Sequence, residues 1–181
     1  MPTCRSRRRR PRAEFVLSPG DAAEVARFYR YVVKGPSPRD CFWWVGSIGD
    51  DAYGRYWVKR DGRQRVVRPH RYALALALGR PLADNEYALH EVCDNPLCVR
   101  AWGEPGTADR PHVVVGTQAQ NLAGMGAKGR GGGRTPPWHR SEIDRAGRVA
   151  RSRRARDALR NGWDAEALHS ALLSTYEPTL F

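Results

Sequence analysis

The feature that most limits how this chain can fold is a pair of cysteines separated by four residues, Cys93-Asp-Asn-Pro-Leu-Cys98, followed by His112 after an interval of Gly, Pro and charge. A tight Asp-Asn-Pro knuckle can aim both sulfurs at one metal ion, and an imidazole arriving later supplies a third ligand. Cys41, on an earlier strand-like run, completes a set of Cys41, Cys93, Cys98 and His112. Such a closed tetrahedral Cys3His set suits structural Zn2+, because no position stays open for a substrate. The alternative is three buried free thiols around a core histidine.

Charge points to the partner. The chain has 181 residues and a net charge of +12, but residues 1–12 carry six Arg and no acid. Residues 128–160 carry eleven basic and three acidic side chains, so the rest of the chain sums to about −2. Positive flanks around a near-neutral middle suit arms laid along a polyanion. No apolar run reaches the ~20 residues of a membrane span, and no apolar stretch follows the N-terminal arginines as a secretory signal requires. The expectation is a cytoplasmic protein in a bacterial or phage-infected cell.

Taken in order, residues 1–17 form a basic tail expected to be disordered, with Cys4 inside it and outside any folded site. Residues 18–38 predict a helix, capped by Ser18 or Asp21, with Ala22, Val25, Phe28, Tyr29 and Val32 at helical spacing, ended by Gly35-Pro-Ser-Pro38. Cys41 to Val45 reads as a strand. Tyr53–Lys59 and Arg63–Arg68, joined through Asp61-Gly62, predict a hairpin with Arg55, Trp57 and Lys59 on one face and Tyr56 and Val58 on the other. Residues 53–71 hold seven basic side chains and one acid, so this ribbon can enter the major groove of double-stranded DNA through Arg55, Trp57, Lys59, Arg63, Arg65 and Arg68. A solvated sheet face is the plainer reading. His70 to Leu78 predicts a short helix stopped by Gly79, in which His70 reads as a hydrogen-bonded structural histidine.

Tyr87 to Leu89 predicts a strand that delivers His90, whose neutral imidazole can take a proton from water. Thr117-Gln-Ala-Gln120 has the form of a capping box, which starts a helix near Gln118 and puts Asn121 on its first turn. There its carbonyl oxygen can ligate Mg2+, although a lone Asn at such a place more often faces solvent. A Gly/Pro linker at 131–140 precedes a basic helical hairpin at 141–175, which reads equally as a helix-turn-helix or as a packing or dimerisation hairpin.

The span from Cys41 to about Arg130 resembles the HNH, or His-Me finger, endonucleases of the phage and homing branch. Cys41, Trp44 and Gly46, Tyr53-Gly54-Arg55, His70-Arg71, His90, Cys93, Cys98, His112, Gly116-Thr117 and Asn121 carry the resemblance. It implies an α+β fold at 39–130: a small antiparallel sheet plus a ββα-metal motif with structural zinc, flanked by helical extensions. It also implies His90 as general base, Asn121 as ligand of one Mg2+ ion, and Arg55 or Arg71 as a grip on the scissile phosphate. Two residues separate His90 from Cys93 where the family has one, and an insertion spans about Arg100 to Pro111. The function expected is metal-dependent DNA cleavage leaving 5′-phosphate and 3′-hydroxyl ends, by a homodimer if both strands are cut. The other class is a zinc-stabilised DNA-binding or adaptor protein without cleavage. The tail at 176–181, Glu177-Pro-Thr-Leu180-Phe181 within it, resembles the short peptides that dock on sliding clamps; a frayed polar tail reads the same.

Overall fold

A computed structural model describes residues 16–102, 110–128 and 145–173. The Arg-rich tail, the 131–140 linker, the start of the C-terminal helical unit at Ser141 and the Leu180-Phe181 terminus lie outside the described residues.

The chain is α+β, with small antiparallel sheets and five helices. Helix α1 (Ala22–Tyr29) starts where the Asp21 carboxylate accepts the Glu24 amide at 2.8 Å. It stops eight residues on, because Val32 and Val33 join strand β1 (Val32–Lys34), which pairs with β2 (Phe42–Trp44) in the register Val32↔Trp44. The helix expected over 18–38 is therefore a helix, a strand and a turn: β-branched residues opposite two tryptophans gain more in a ladder than in a further helical turn. Strands β3 (Tyr56–Arg60) and β4 (Arg63–Val67) form the hairpin, with Asp61 and Gly62 at φ 52° and 70°, the left-handed pair that a two-residue turn requires. Helix α2 (Pro69–Leu78) follows, and Gly79 ends it at φ 63°. Strand β5 (Tyr87–His90) pairs with β6 (Val113–Gly116), His90 opposite Val113, and α3 (Gln118–Ala127) leaves directly from β6. Helices α4 (Arg145–Leu159) and α5 (Ala165–Leu173) complete the order.

Three separate two-stranded sheets take the place of the single small sheet expected. The β1–β2 and β3–β4 pairs meet through side chains, and backbone hydrogen bonds of residues 97–100 link β2 to the start of β6. Phe28, Trp44, Tyr56 and Tyr72 meet around one centre, with Phe28 4.9 Å from Tyr72, 5.3 Å from Tyr56 and 5.5 Å from Trp44. Such pairs each contribute about 0.5–1.5 kcal/mol beyond the area they bury. Gly54 sits against this cluster because a Cβ there would lie 2.5 Å from Trp44 and 2.7 Å from Pro69. Ala155 and Leu159 of α4 and Leu168 of α5 belong to the same core, and Arg145 binds Asp50 at 2.7 Å. On the sides of α4 away from that core, Arg145, Arg151 and Arg153 are exposed.

Candidate metal centre and the adjoining histidine

Backbone pairing assembles the ligands. The segment after the knuckle runs along the second edge of β2: the Trp44 amide donates to Leu97 and the Val99 amide to Phe42, both at 2.8 Å. Trp43 thereby faces Cys98, one strand position from Phe42 and beside Cys41. The next residue, Arg100, offers its carbonyl to the amides of both His112 and Val113, at 2.8 and 2.9 Å, and so draws the start of β6 to the same place. The insertion is thus closed at its neck, Arg100 against His112. The knuckle is an Asx turn, with Asp94 at φ 48° and the Asn95 side chain accepting from the Leu97 amide at 3.0 Å.

As a result the three Sγ atoms and a ring nitrogen of His112 all lie within 4.8 Å of one another. Nδ1 of His112 is 3.6 Å from Cys41 Sγ and 3.7 Å from Cys98 Sγ. A tetrahedron with Zn–S near ~2.3 Å and Zn–N near ~2.05 Å has S···N edges of about 3.6 Å, so the cluster can hold a metal ion such as zinc with Nδ1 as the nitrogen ligand. Thiol acidities are arranged accordingly. Hydrogen bonds from Cys41 and then Cys98 favour the thiolate of Cys93. The same sharing with Cys93, with burial, pushes the Cys41 thiol up to about 12, and burial first and the two other sulfurs next push Cys98 up as well. Three sulfurs in one pocket cannot all ionise unaided, and a dication compensates all three.

His90 lies beside this cluster. It ends β5, and the Glu91 amide that follows donates to His112 at 3.0 Å. Its ring meets His70 edge-on at 4.9 Å and Tyr53 at 6.4 Å, and Tyr53 also packs on His70 at 5.2 Å. Both ring nitrogens of His90 are buried without a well-formed hydrogen bond, and the ring lies within reach of the Cys93 sulfur, whose thiolate it favours. His70 is buried; desolvation above all, and then the charges of His90, Arg68 and Arg71, hold its pKa well below the ordinary value, so it is neutral. The hydrogen-bonded structural role expected for His70 takes another form, because its Nδ1 has no partner and ring packing holds it.

Helix α3, which leaves β6 and contacts β5, carries Asn121. The capping box is present: the Thr117 hydroxyl accepts the Gln120 amide at 3.2 Å, and the Gln120 side chain accepts the Thr117 amide at 2.7 Å. Asn121 stands in the first turn, half-buried, with Nδ2 3.9 Å from Met125 Sδ. The far end of α3 is tied back by Lys128, which binds Asp94 at 2.8 Å and the His90 carbonyl at 3.4 Å. No residue of α3 is buried, so these polar ties and its contact with β5 hold it.

The remaining expected residues fall into two groups. Trp57, Lys59, Arg63 and Arg68 are exposed on the hairpin, and Arg65 is half-buried there. Arg55 precedes β3 and is engaged within the protein: it binds Asp51 at 2.9 Å and the carbonyls of Tyr53 and Gly54. Arg68 shares Asp51, at 2.9 Å, and lies over the Tyr53 ring at 4.6 Å. Arg71 is half-buried, and burial, then Arg68, lowers its pKa. Asp51, which holds two of these arginines, and Arg100, 1% exposed with its guanidinium on the Asp40 carbonyl and over Phe42, carry no motif that marks them in sequence.

Among the described residues no helix is long and apolar enough to cross a membrane. No family model, curated protein or solved structure matches the chain.

Proposed function

We propose that this chain is a metal-dependent DNA endonuclease of the HNH type. The observation that supports the reading is the connection of the elements: His90 ends β5 three residues before Cys93 of the Cys3His cluster, and Asn121 stands on the first turn of α3, a helix that follows β6 and contacts β5. In this reading Cys41, Cys93, Cys98 and His112 hold Zn2+ for folding alone, since four protein ligands fill a tetrahedron. His90 is the general base. Both of its ring nitrogens are buried without a hydrogen-bond partner, so in this scheme one accepts a proton from the attacking water once DNA and water reach the ring. The water oxygen bonds to phosphorus, the P–O3′ bond breaks, the departing O3′ takes a proton from solvent water, and the products carry a 5′-phosphate and a 3′-hydroxyl. Asn121 supplies one oxygen to Mg2+, which accepts a single protein ligand when phosphate and waters supply the rest. Bound there, Mg2+ supplies Lewis-acid stabilisation of the charge that builds on the phosphate and the departing oxygen.

The hairpin face with Trp57 and Lys59, opposite Val66 and Gln64, is the DNA-facing surface in this scheme, and Arg55 and Arg68 reach phosphate by exchanging Asp51 for it. Nicking needs one copy; cutting both strands needs two. The test is plasmid cleavage in Mg2+ by the full chain and by His90→Ala and Asn121→Ala. Each variant is expected to lose at least ~100-fold in rate while keeping its zinc. An inactive parent, or two variants that cut as fast as the parent, removes the assignment; DNA bound but uncut by the parent leaves a zinc-stabilised DNA-binding protein.

A further inference from the structure

An open cleft of about 750 Å³ lies between α1 and the outer edge of β3, away from the residues used above except Lys59. Its ionisable lining is Asp21, Glu24, Arg27, Arg30, Lys59 and Arg60. Glu24 and Arg60 cancel each other through a two-pronged pair at 2.7 Å, and the Asp21 carboxylate is spent on the cap of α1. Arg27, Arg30 and Lys59 are left against the single charge of Asp21, and the exposed Arg30 and Lys59 face open space.

We infer that this cleft is a second phosphate-contact site for DNA, seating the sugar-phosphate backbone beyond the cut; the inference rests on the nuclease reading and adds residues to it. Two observations favour a nucleic-acid backbone over an acidic peptide. The outer edge of β3 is closed to strand addition, because Arg27 already binds the Trp57 carbonyl at 2.7 Å and Arg60 the Lys59 carbonyl at 2.8 Å. An extended peptide therefore finds no ladder there, whereas point charges on a rim suit phosphates. Second, Lys59 belongs both to this cleft and to the exposed hairpin face with Trp57, so one duplex strand can run from one to the other. The lip of the cleft, Pro19 to Asp21, is also only seven residues after the last arginine of the N-terminal run, Arg12. Leu17, 6% exposed, anchors the chain between them by its carbonyl to the Leu82 amide.

The experiment measures binding of a fluorescent duplex of ~20 base pairs by anisotropy between 50 and 200 mM NaCl, in the full chain carrying His90→Ala so that nothing is cut. Arg30→Gln with Lys59→Gln is expected to make the slope of log affinity against log salt shallower by about 1.8, so that the loss of affinity over that range shrinks roughly 12-fold. Each single change is expected to give half the shift in slope. Lys34→Gln with Arg39→Gln, two exposed cations elsewhere, is expected to leave the slope in place. An unchanged slope in the cleft variant, an equal shift in the control pair, or an equal loss of binding to a poly-glutamate peptide overturns the inference. A parent that cuts plasmid while the cleft variant keeps its slope sinks this site alone; a shifted slope with an uncut plasmid supports the site and sinks the nuclease reading.

Discussion

At the scale of single residues, Glu24 shows how one side chain can join three elements. It sits on α1, binds Arg60 on β3 at 2.7 Å through both oxygens, and accepts the Tyr72 hydroxyl of α2 at 2.8 Å. Burial, the largest influence, raises its pKa, but the hydrogen bonds and charge of Arg60 together with Tyr72 outweigh that and hold it below the ordinary value. A carboxylate whose acidity is strengthened by folding contributes stability above its unfolded pKa, near ~4.3, and loses it as pH falls through the folded value. Glu24→Gln is therefore expected to cost about 1.5 kcal/mol at pH 7, and its melting temperature should approach that of the parent as pH falls below the ordinary carboxylate range. A gap that does not narrow on acidification would remove the ionic contribution. His90 belongs to this scale as well. Its sequence neighbours mark it, but the ring contacts with His70 and Tyr53 come from α2 and from the loop before β3, which no spacing connects to β5.

At the scale of elements, local signals were legible wherever the backbone itself demanded a residue type. Asp61-Gly62 announced the hairpin, Gly79 the end of α2, and Thr117 with Gln120 the start of α3. The end of α1 was not legible, because Val32 continues a helical period and only its partner Trp44, twelve positions later, turns it into a strand. Helix α3 is the element on which the proposed chemistry leans most, and it has no buried residue to steady it. Thr117→Ala removes one half of its capping box and should destabilise the helix by about 1 kcal/mol. The expected result is a several-fold fall in cleavage with the overall melting temperature within ~2 °C of the parent. A variant that cuts at the parent's rate would show that α3 does not need its cap to place Asn121.

For the whole molecule, the Cys3His cluster joins the strand edge at Cys41, the knuckle and the start of β6, which are otherwise held by a handful of backbone hydrogen bonds. Binding free energy at such a cluster is folding free energy. About one zinc per chain is expected, and chelation should melt the β5–β6–α3 region, visible as lost amide-exchange protection there. Cys98→Ser, at a site with no exposed surface, should lower zinc occupancy and give the same loss. A metal-free chain that keeps this protection would remove the structural role of the ion.

What the sequence determined by itself was chemical and local: a ligand set of the right types, a capped helix that carries Asn121, a basic hairpin with alternating faces, and charge gathered in the flanks. Those follow from side-chain chemistry and from periods of a few residues. Only the tertiary structure decided which of the arginines are engaged, with Arg55 and Arg68 on Asp51 and Arg100 over Phe42, and that the C-terminal helices share the core of the sheets. It also decided that the β1–β2 and β3–β4 pairs meet through aromatic packing, and that β2 is linked to β6 by the backbone of residues 97–100. Ion pairs and core contacts form between residues tens of positions apart, and a period of two or of 3.6 along the chain carries no information about which distant partner will arrive.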